Sequence, residues 1–412
     1  MSEKTNAVGG NRILVVIFAC LIGLMAGLIY TWSIWVQPIC AEYGWGTDQV
    51  ALMGNVMLVT FVFGVTIGGQ LLPKLGAKVS CLIGSVMFGG FFIISSFVSN
   101  PIVMYVTYGV IAGLGVGILY VVGQFAASAW FPDKKGLIMG IFLAVFGLSV
   151  TICSGIINGM LQSMGVKSTM LIVGIIITVV CVVGSLFMST PPAGWTPAGM
   201  TAQTNTAAAP APVRSMTVGQ AVKTKEFWFI TIAYAIMVWP YAFISSYIGV
   251  FVTEQKLMAS AVAVTVVSCT GIGSFLGRFV GGFLVDKLGC KVTYAIMCAM
   301  SLVACIALMP VNGLVGLCVV FIILCIGYGG RTPVYGVIYG KQFGPEYASG
   351  IYGWGTFGTA IFLLVAPLTT AAIRGATGSF NTCCIIAAVV SVVGCALMMM
   401  LPKVAPVERE DV

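Results

Sequence analysis

Thirty residues carry a formal charge, and two of them, Arg278 and Arg331, fall in the middle of long apolar runs. A guanidinium does not lose its proton in a protein, so it cannot escape a low-dielectric site by neutralising. Such a group faces a water-filled cavity or a partner. No Asp or Glu lies mid-run to supply that partner. The unmatched charge points to an anionic ligand that comes from outside the chain. Around Arg278, helical spacing places Gly271, Ser274, Gly281 and Val285 on the same face. That face is small and weakly polar, as a cavity wall beside a binding group should be. The alternative is an arginine that reaches for the nearer aqueous interface along its own stem. Arg331 lies within Gly327-Tyr328-Gly329-Gly330-Arg331-Thr332-Pro333-Val334-Tyr335. The glycines and Pro333 predict a weakened helix there. Tyr328 and Tyr335 share the face of Arg331 at −3 and +4. Two readings stay open for it: a second anion contact, or a brace that bonds free carbonyls at a helix break.

Other chemistries lack their residues. Histidine is absent, and the 14 cysteines are scattered without a CxxC pair. A zinc site or disulfide framework is therefore not expected. Neither a Ser/His/Asp set nor paired intramembrane carboxylates exist, so enzyme activity is not expected, nor is a cofactor. The net charge of +8 sits in short loops rather than on a basic stripe, which argues against nucleic-acid binding.

The elements that must hold the arginines follow from the apolar runs. The chain is 59% apolar and 7% charged, the composition of a polytopic membrane protein. A helix needs about 20 apolar residues to cross the hydrocarbon core. Twelve runs meet that need, numbered here as spans 1 to 12: roughly 13–37, 49–72, 79–99, 101–130, 136–161 and 168–189, then 226–252, 260–285, 292–311, 314–342, 347–373 and 378–401. The polar start, Met1 to Asn11, lacks a signal-peptide cleavage site, so span 1 is expected to be retained. Residues 190–225 lie between the two sets and hold an Ala/Thr/Pro-rich stretch that reads as a flexible linker. The expected organisation is a six-helix unit at 1–189, a cytoplasmic linker at 190–225, and a second unit with a short tail at 226–412. With the N-terminus inside, fourteen Lys and Arg fall in inner segments and three in outer loops. That bias puts both termini in the cytoplasm.

The two halves repeat. Gly68-Gly-Gln-Leu-Leu-Pro73-Lys74-Leu-Gly76-Ala-Lys78-Val79 matches Gly281-Gly-Phe-Leu-Val-Asp286-Lys287-Leu-Gly289-Cys-Lys291-Val292 at most positions, with a constant offset of 213. Each copy follows the second span of its half. A six-helix unit duplicated in parallel is how one class of transporters is built. Glycines at intervals of four, such as Gly109, Gly113 and Gly117 or Gly277 and Gly281, predict close helix packing.

The repeated segment resembles the inner-loop signature G-x-L-x-D-x-x-G-x-K/R of the major facilitator superfamily. The second copy keeps its Asp at 286, and the first has Pro73 instead. The resemblance implies an all-α membrane fold of twelve helices in two pseudo-symmetric bundles, with Lys74, Asp286 and Lys287 in its gating loops. A narrower resemblance rests on Tyr30-Thr-Trp32-Ser33, Ala112-Gly-Leu-Gly-Val-Gly-Ile-Leu-Tyr120, Trp130-Phe-Pro-Asp-Lys-Lys-Gly136 and Pro191-Pro-Ala-Gly-Trp195-Thr-Pro-Ala-Gly199. These segments are similar to the oxalate:formate antiporter branch, which adjoins the proton-coupled monocarboxylate transporters. The resemblance implies that Arg278, in Gly277-Arg-Phe-Val-Gly-Gly-Phe-Leu-Val-Asp286-Lys287, contacts a substrate carboxylate. It also puts spans 1, 4, 7 and 10 around the cavity, making Tyr30, Tyr120, Gln124 and Tyr335 lining residues. The chain departs from these families in three places. It has no lysine in Tyr352 to Thr359 of span 11, none in Tyr30 to Ser33, and Ser274 where an aspartate is usual.

The expected function is proton-coupled uptake of a monocarboxylate such as L-lactate or pyruvate by alternating access. A dicarboxylate or oxalate/formate exchanger, or a transporter-derived sensor, is the alternative. The expected setting is the inner (plasma) membrane, and the expected working unit is a monomer.

Overall fold

A computed structural model describes residues 3–192, 214–245, 247–248, 251–258, 260–402 and 405–408. Most of the expected linker, 193–213, lies outside the described residues. Among the described residues every regular element is a helix.

Seven helical stretches are long and apolar enough to cross a bilayer. Three of them hold two crossings each. Thr47–Ser85 turns at Gly76, Lys135–Phe187 at Gly165 and Ser260–Ala307 at Gly289. Their φ angles of 75°, 76° and 80° lie in the left-handed region that glycine enters freely. Gly76 and Gly289 are the same position of the sequence repeat, so each signature loop is built on one backbone reversal. The remaining two crossings are span 7, broken into Lys225–Ile236, Trp239–Ser245 and Phe251–Gln255, and span 11, Ala348–Thr377. Among the described residues these make up the twelve crossings expected from the sequence.

The glycine rows lie where helices touch. A methyl at Gly113 would meet Thr60 and the Met57 backbone, and one at Gly117 would meet the backbone of Phe61 and Val65. Gly277 and Gly281 press in the same way on the backbone of Ile326 and Gly330. These approaches pair span 2 with span 4 and span 8 with span 10. Large apolar side chains face outward along the spans, among them Ile156 at 62%, Val303 at 58% and Val389 at 56% accessibility. Facing water, that surface would be costly; facing lipid, it is matched.

The apolar core is continuous at one end and divided at the other. One cluster joins spans 1 to 6 to Val285, Tyr294, Tyr335, Tyr339, Ile351 and Tyr352 of the second half. All six lie toward the cytoplasmic ends of their spans. A second cluster, with Val252, Val266, Leu308, Leu317 and Ala387, is confined to the outer part of the second half. The halves therefore share a core on the cytoplasmic side.

Candidate functional site

Arg278 is 9% accessible. Its Nη1 donates to the Leu143 carbonyl of span 5 at 2.9 Å. Its Nε is sealed from solvent and has no partner. Nη2 has no protein acceptor either, and it is not sealed. Among the described residues no carboxylate pairs with this charge. Glycine makes the room. A methyl at Gly147 of span 5 would overlap Nη1, and one at Gly329 of span 10 would press on the Arg278 backbone and Cγ. Ser274, one turn earlier and partly buried, meets Gly329 through its carbonyl.

Aromatic side chains complete the surround. Tyr30 is 44% accessible, yet protein encloses it. The two facts agree if its open face lines an interior space. Its ring meets Phe146 edge-on at 5.6 Å, and Phe146 meets Tyr120 at 4.9 Å. Tyr241 and Tyr328 stack at 4.0 Å. The Arg278 charge acts on all four tyrosines, Tyr30, Tyr120, Tyr241 and Tyr328. The Tyr120 hydroxyl lies 3.5 Å from that of Tyr352, and Gln124 and Tyr234 are its neighbours. Gln124 is 1% accessible, and its Nε2 is a buried donor with no acceptor.

Arg331 sits in a different setting. It is 2% accessible; Nη1 donates to Ser301 Oγ at 2.9 Å and Nη2 to the Met237 carbonyl at 3.2 Å. The weakening expected in span 10 is not observed: Leu314–Phe343 is one helix with Pro333 inside it. Pro333 has no N–H for the Gly329 carbonyl, and the Thr332 hydroxyl donates to that carbonyl at 2.7 Å. The break is in span 7, after Ile236, and Arg331 bonds a carbonyl there. Tyr335 stacks on Tyr234 at 3.7 Å and donates to the Tyr294 hydroxyl at 2.8 Å. The free space beside Arg331 is about 10 Å³, near the smallest volume that holds one water.

Below these sites the halves are joined at two places related by the repeat. The Asp286 carboxylate accepts from the backbone N–H of Gly136 at 2.8 Å and of Leu137 at 2.7 Å. It thereby caps the first turn of span 5, where an anion is favoured. Pro73 occupies the equivalent place in the first half. Pro73 leaves the Gly69 carbonyl without its helical donor, and the Ser349 hydroxyl of span 11 donates to it at 2.8 Å. Thr66 adds a bond to the Gly353 carbonyl at 2.9 Å. Lys287 lies over the Phe283 ring at 4.5 Å, and Lys74 is exposed. The sequence alone does not single out Gly147, Tyr352 or Ser349, and it sets Tyr328 beside Arg331 rather than Arg278. Ser349 was within reach, because it follows Gly136 by the repeat offset.

The Asp286 bonds carry a prediction. Each charge-assisted hydrogen bond is worth about 1.5–3 kcal/mol when well buried, and Asp286 is half-buried, so less is expected here. Asp286→Ala should loosen the inner seam. Cys290, buried and four residues on, should then be alkylated several-fold faster by a permeant maleimide, read by peptide mass mapping. An unchanged Cys290 rate would show that these bonds do not hold the seam.

The Major Facilitator Superfamily profile matches residues 13–367 and again 266–412. The oxalate:formate antiporter of Oxalobacter formigenes is 22% identical over 99% of this chain and 96% of its own length. An uncharacterised MFS-type transporter of Escherichia coli K12, YhjX, is 24% identical over 83% of each chain. Monocarboxylate transporter 9 of Pongo abelii is 24% identical over 35% of this chain and 28% of its own. The crystal structure of the transporter FucP, described as in the outward conformation, superposes with a TM-score of 0.70 at 14% identity, covering 96% of this chain and all of that one. A match along nearly the whole chain, on twelve helices with two related inner loops, places this multi-pass membrane protein in the Major Facilitator Superfamily.

Proposed function

We propose that this transporter carries small monocarboxylates by alternating access, with Arg278 as the carboxylate anchor. One observation carries the reading. A permanent, buried cation stands at the junction of spans 5, 8 and 10 with Nε unpaired and Nη2 unsealed and without a protein acceptor. A carboxylate is the planar partner that a guanidinium fork fits best. Tyr30, Tyr120 and Tyr328 supply hydroxyls around it, and the glycine walls leave it room. The bonds of Asp286, Ser349 and Thr66 all lie on the cytoplasmic side, so the site is approached from outside in this state. Loading neutralises the Arg278 charge, which lowers the cost of closing both ends around it.

A dianion exchanger is the second reading. Tyr328 lies in the field of both Arg278 and Arg331, and a relative is named as an oxalate:formate antiporter. The tight space beside Arg331 favours one carboxylate over two. Counterflow of labelled lactate from loaded liposomes, competed by pyruvate, formate, oxalate and succinate, separates these readings. Competition by succinate or oxalate that matches lactate would replace the first with the second. Binding without exchange of label would indicate a sensor.

Proton coupling is part of the proposal. Neither mid-span arginine can release a proton, and histidine is absent. Among the described residues the one buried carboxylate is Glu226, at the inner end of span 7. The proton then travels with the substrate carboxyl. An inward proton gradient should stimulate net uptake severalfold and leave exchange between equal pools nearly unchanged. A pH electrode outside the vesicles checks this with the membrane potential clamped. Net uptake without external alkalinisation would mean uniport or antiport.

A further inference from the structure

We propose that the inner seam between spans 2 and 11 carries a binding site for an anionic phospholipid of the cytoplasmic leaflet, separate from the cavity at Arg278. A groove of about 600 Å³ opens there. Its walls come from three parts of the chain: Pro73 and Lys74 after span 2, Tyr347 and Trp354 at the start of span 11, and Val222 and Lys223 of the segment before span 7. The short helix Val218–Val222 roofs it. Thr217 and Gln220 form a capping box on that helix. The Met216 N–H donates to the Phe343 carbonyl at 2.8 Å, which ties the segment to the end of span 10.

The groove has the chemistry of an anionic amphiphile. It is mostly apolar, and among the described residues its charged lining side chains are Lys74 and Lys223. Glu346, the exposed carboxylate just before span 11, is not among the lining residues. Both lysines lie at the cytoplasmic headgroup level, by the same Lys and Arg bias that orients the chain. Anionic lipids concentrate in that leaflet and draw basic side chains. Trp354, seven residues into span 11 and 44% accessible, stands about 10 Å deeper along its helix, at the level of the first acyl carbons.

The repeat makes the same point by contrast. At the equivalent seam Asp286 puts a carboxylate between the halves and spends it on Gly136 and Leu137. Pro73 removes that carboxylate from this seam and leaves the two lysines uncompensated. An acid at position 73 would repel an anionic headgroup; proline does not. The occupant touches both halves at once.

The test uses the full chain in nanodiscs. Phosphatidylglycerol or phosphatidylcholine brominated on the acyl chain serves as quencher in otherwise identical bilayers. Brominated phosphatidylglycerol should quench tryptophan fluorescence more than brominated phosphatidylcholine does. That excess should vanish in Trp354→Phe and fall at least twofold in Lys74→Gln/Lys223→Gln. Equal quenching by the two lipids would mean ordinary annular contact and overturn the proposal. So would an excess that survives loss of both lysines. An excess seen only after deletion of residues 193–213 would mean that the chain's own linker fills the groove, and would overturn it as well.

Discussion

Replacing Arg278 with glutamine should lower kcat/KM for monocarboxylate uptake in liposomes by about 100-fold or more. Two charge-assisted bonds to the substrate are at stake, each worth about 1.5–3 kcal/mol in a buried site. Tenfold in rate costs about 1.4 kcal/mol, so loss of both bonds, about 3–6 kcal/mol together, exceeds this figure. Arg278→Lys keeps the charge and loses the fork, and should recover little. A second substitution separates placement from charge. Gly147→Val leaves the arginine in the sequence but sets a branched side chain where Nη1 now lies. It should raise KM strongly while the protein still folds and elutes as one species. Near-normal uptake by Arg278→Gln would remove Arg278 as the anchor. Normal KM in Gly147→Val would show that the observed guanidinium position is not the binding one.

Much of the frame was legible in the residues. Long apolar runs, the Lys and Arg asymmetry and the repeat at offset 213 each state a physical requirement of a membrane helix bundle. The buried setting of Arg278 without a carboxylate partner was legible as well, because no Asp or Glu lies mid-span. Its actual partner, the Leu143 carbonyl, was not legible, since a backbone acceptor leaves no mark in the sequence. Span 10 shows where a local rule fails. Pro333 removes one N–H, but the adjacent Thr332 hydroxyl satisfies the carbonyl left over, and the helix continues. The true break in span 7 had a signal of its own in Pro240, which has no N–H for the carbonyl of Ile236, where the first helix ends. The tyrosine rings around Tyr352 were hidden differently. Each is an ordinary mid-span aromatic until packing of spans 4, 7, 10 and 11 brings the hydroxyls together.

Arg331→Gln should lower the melting temperature in detergent by several degrees while the ranking of competing carboxylates stays the same. Arg331 donates to Ser301 and to the Met237 carbonyl, which joins span 10 to span 9 and to the broken span 7. Leaving buried partners without a donor costs about 1–3 kcal/mol each. The space beside it, about 10 Å³, does not admit a carboxylate group in this state. Uptake should therefore fall with the amount of folded protein and not with the charge of the substrate. Arg331→Met offers the sharper contrast. It leaves Ser301 and the Met237 carbonyl without their donor, as Arg331→Gln does, but it buries neither a cation nor a new polar group. If Arg331 is a brace, Arg331→Met should melt above Arg331→Gln and transport the monocarboxylate substrate proposed above near the normal rate per folded molecule. If Arg331 instead binds a second carboxylate when the inner end opens, both variants should lose dicarboxylate competition selectively and keep monocarboxylate uptake. Unchanged melting and an unchanged competitor profile in both variants would defeat the brace and the second anion contact together.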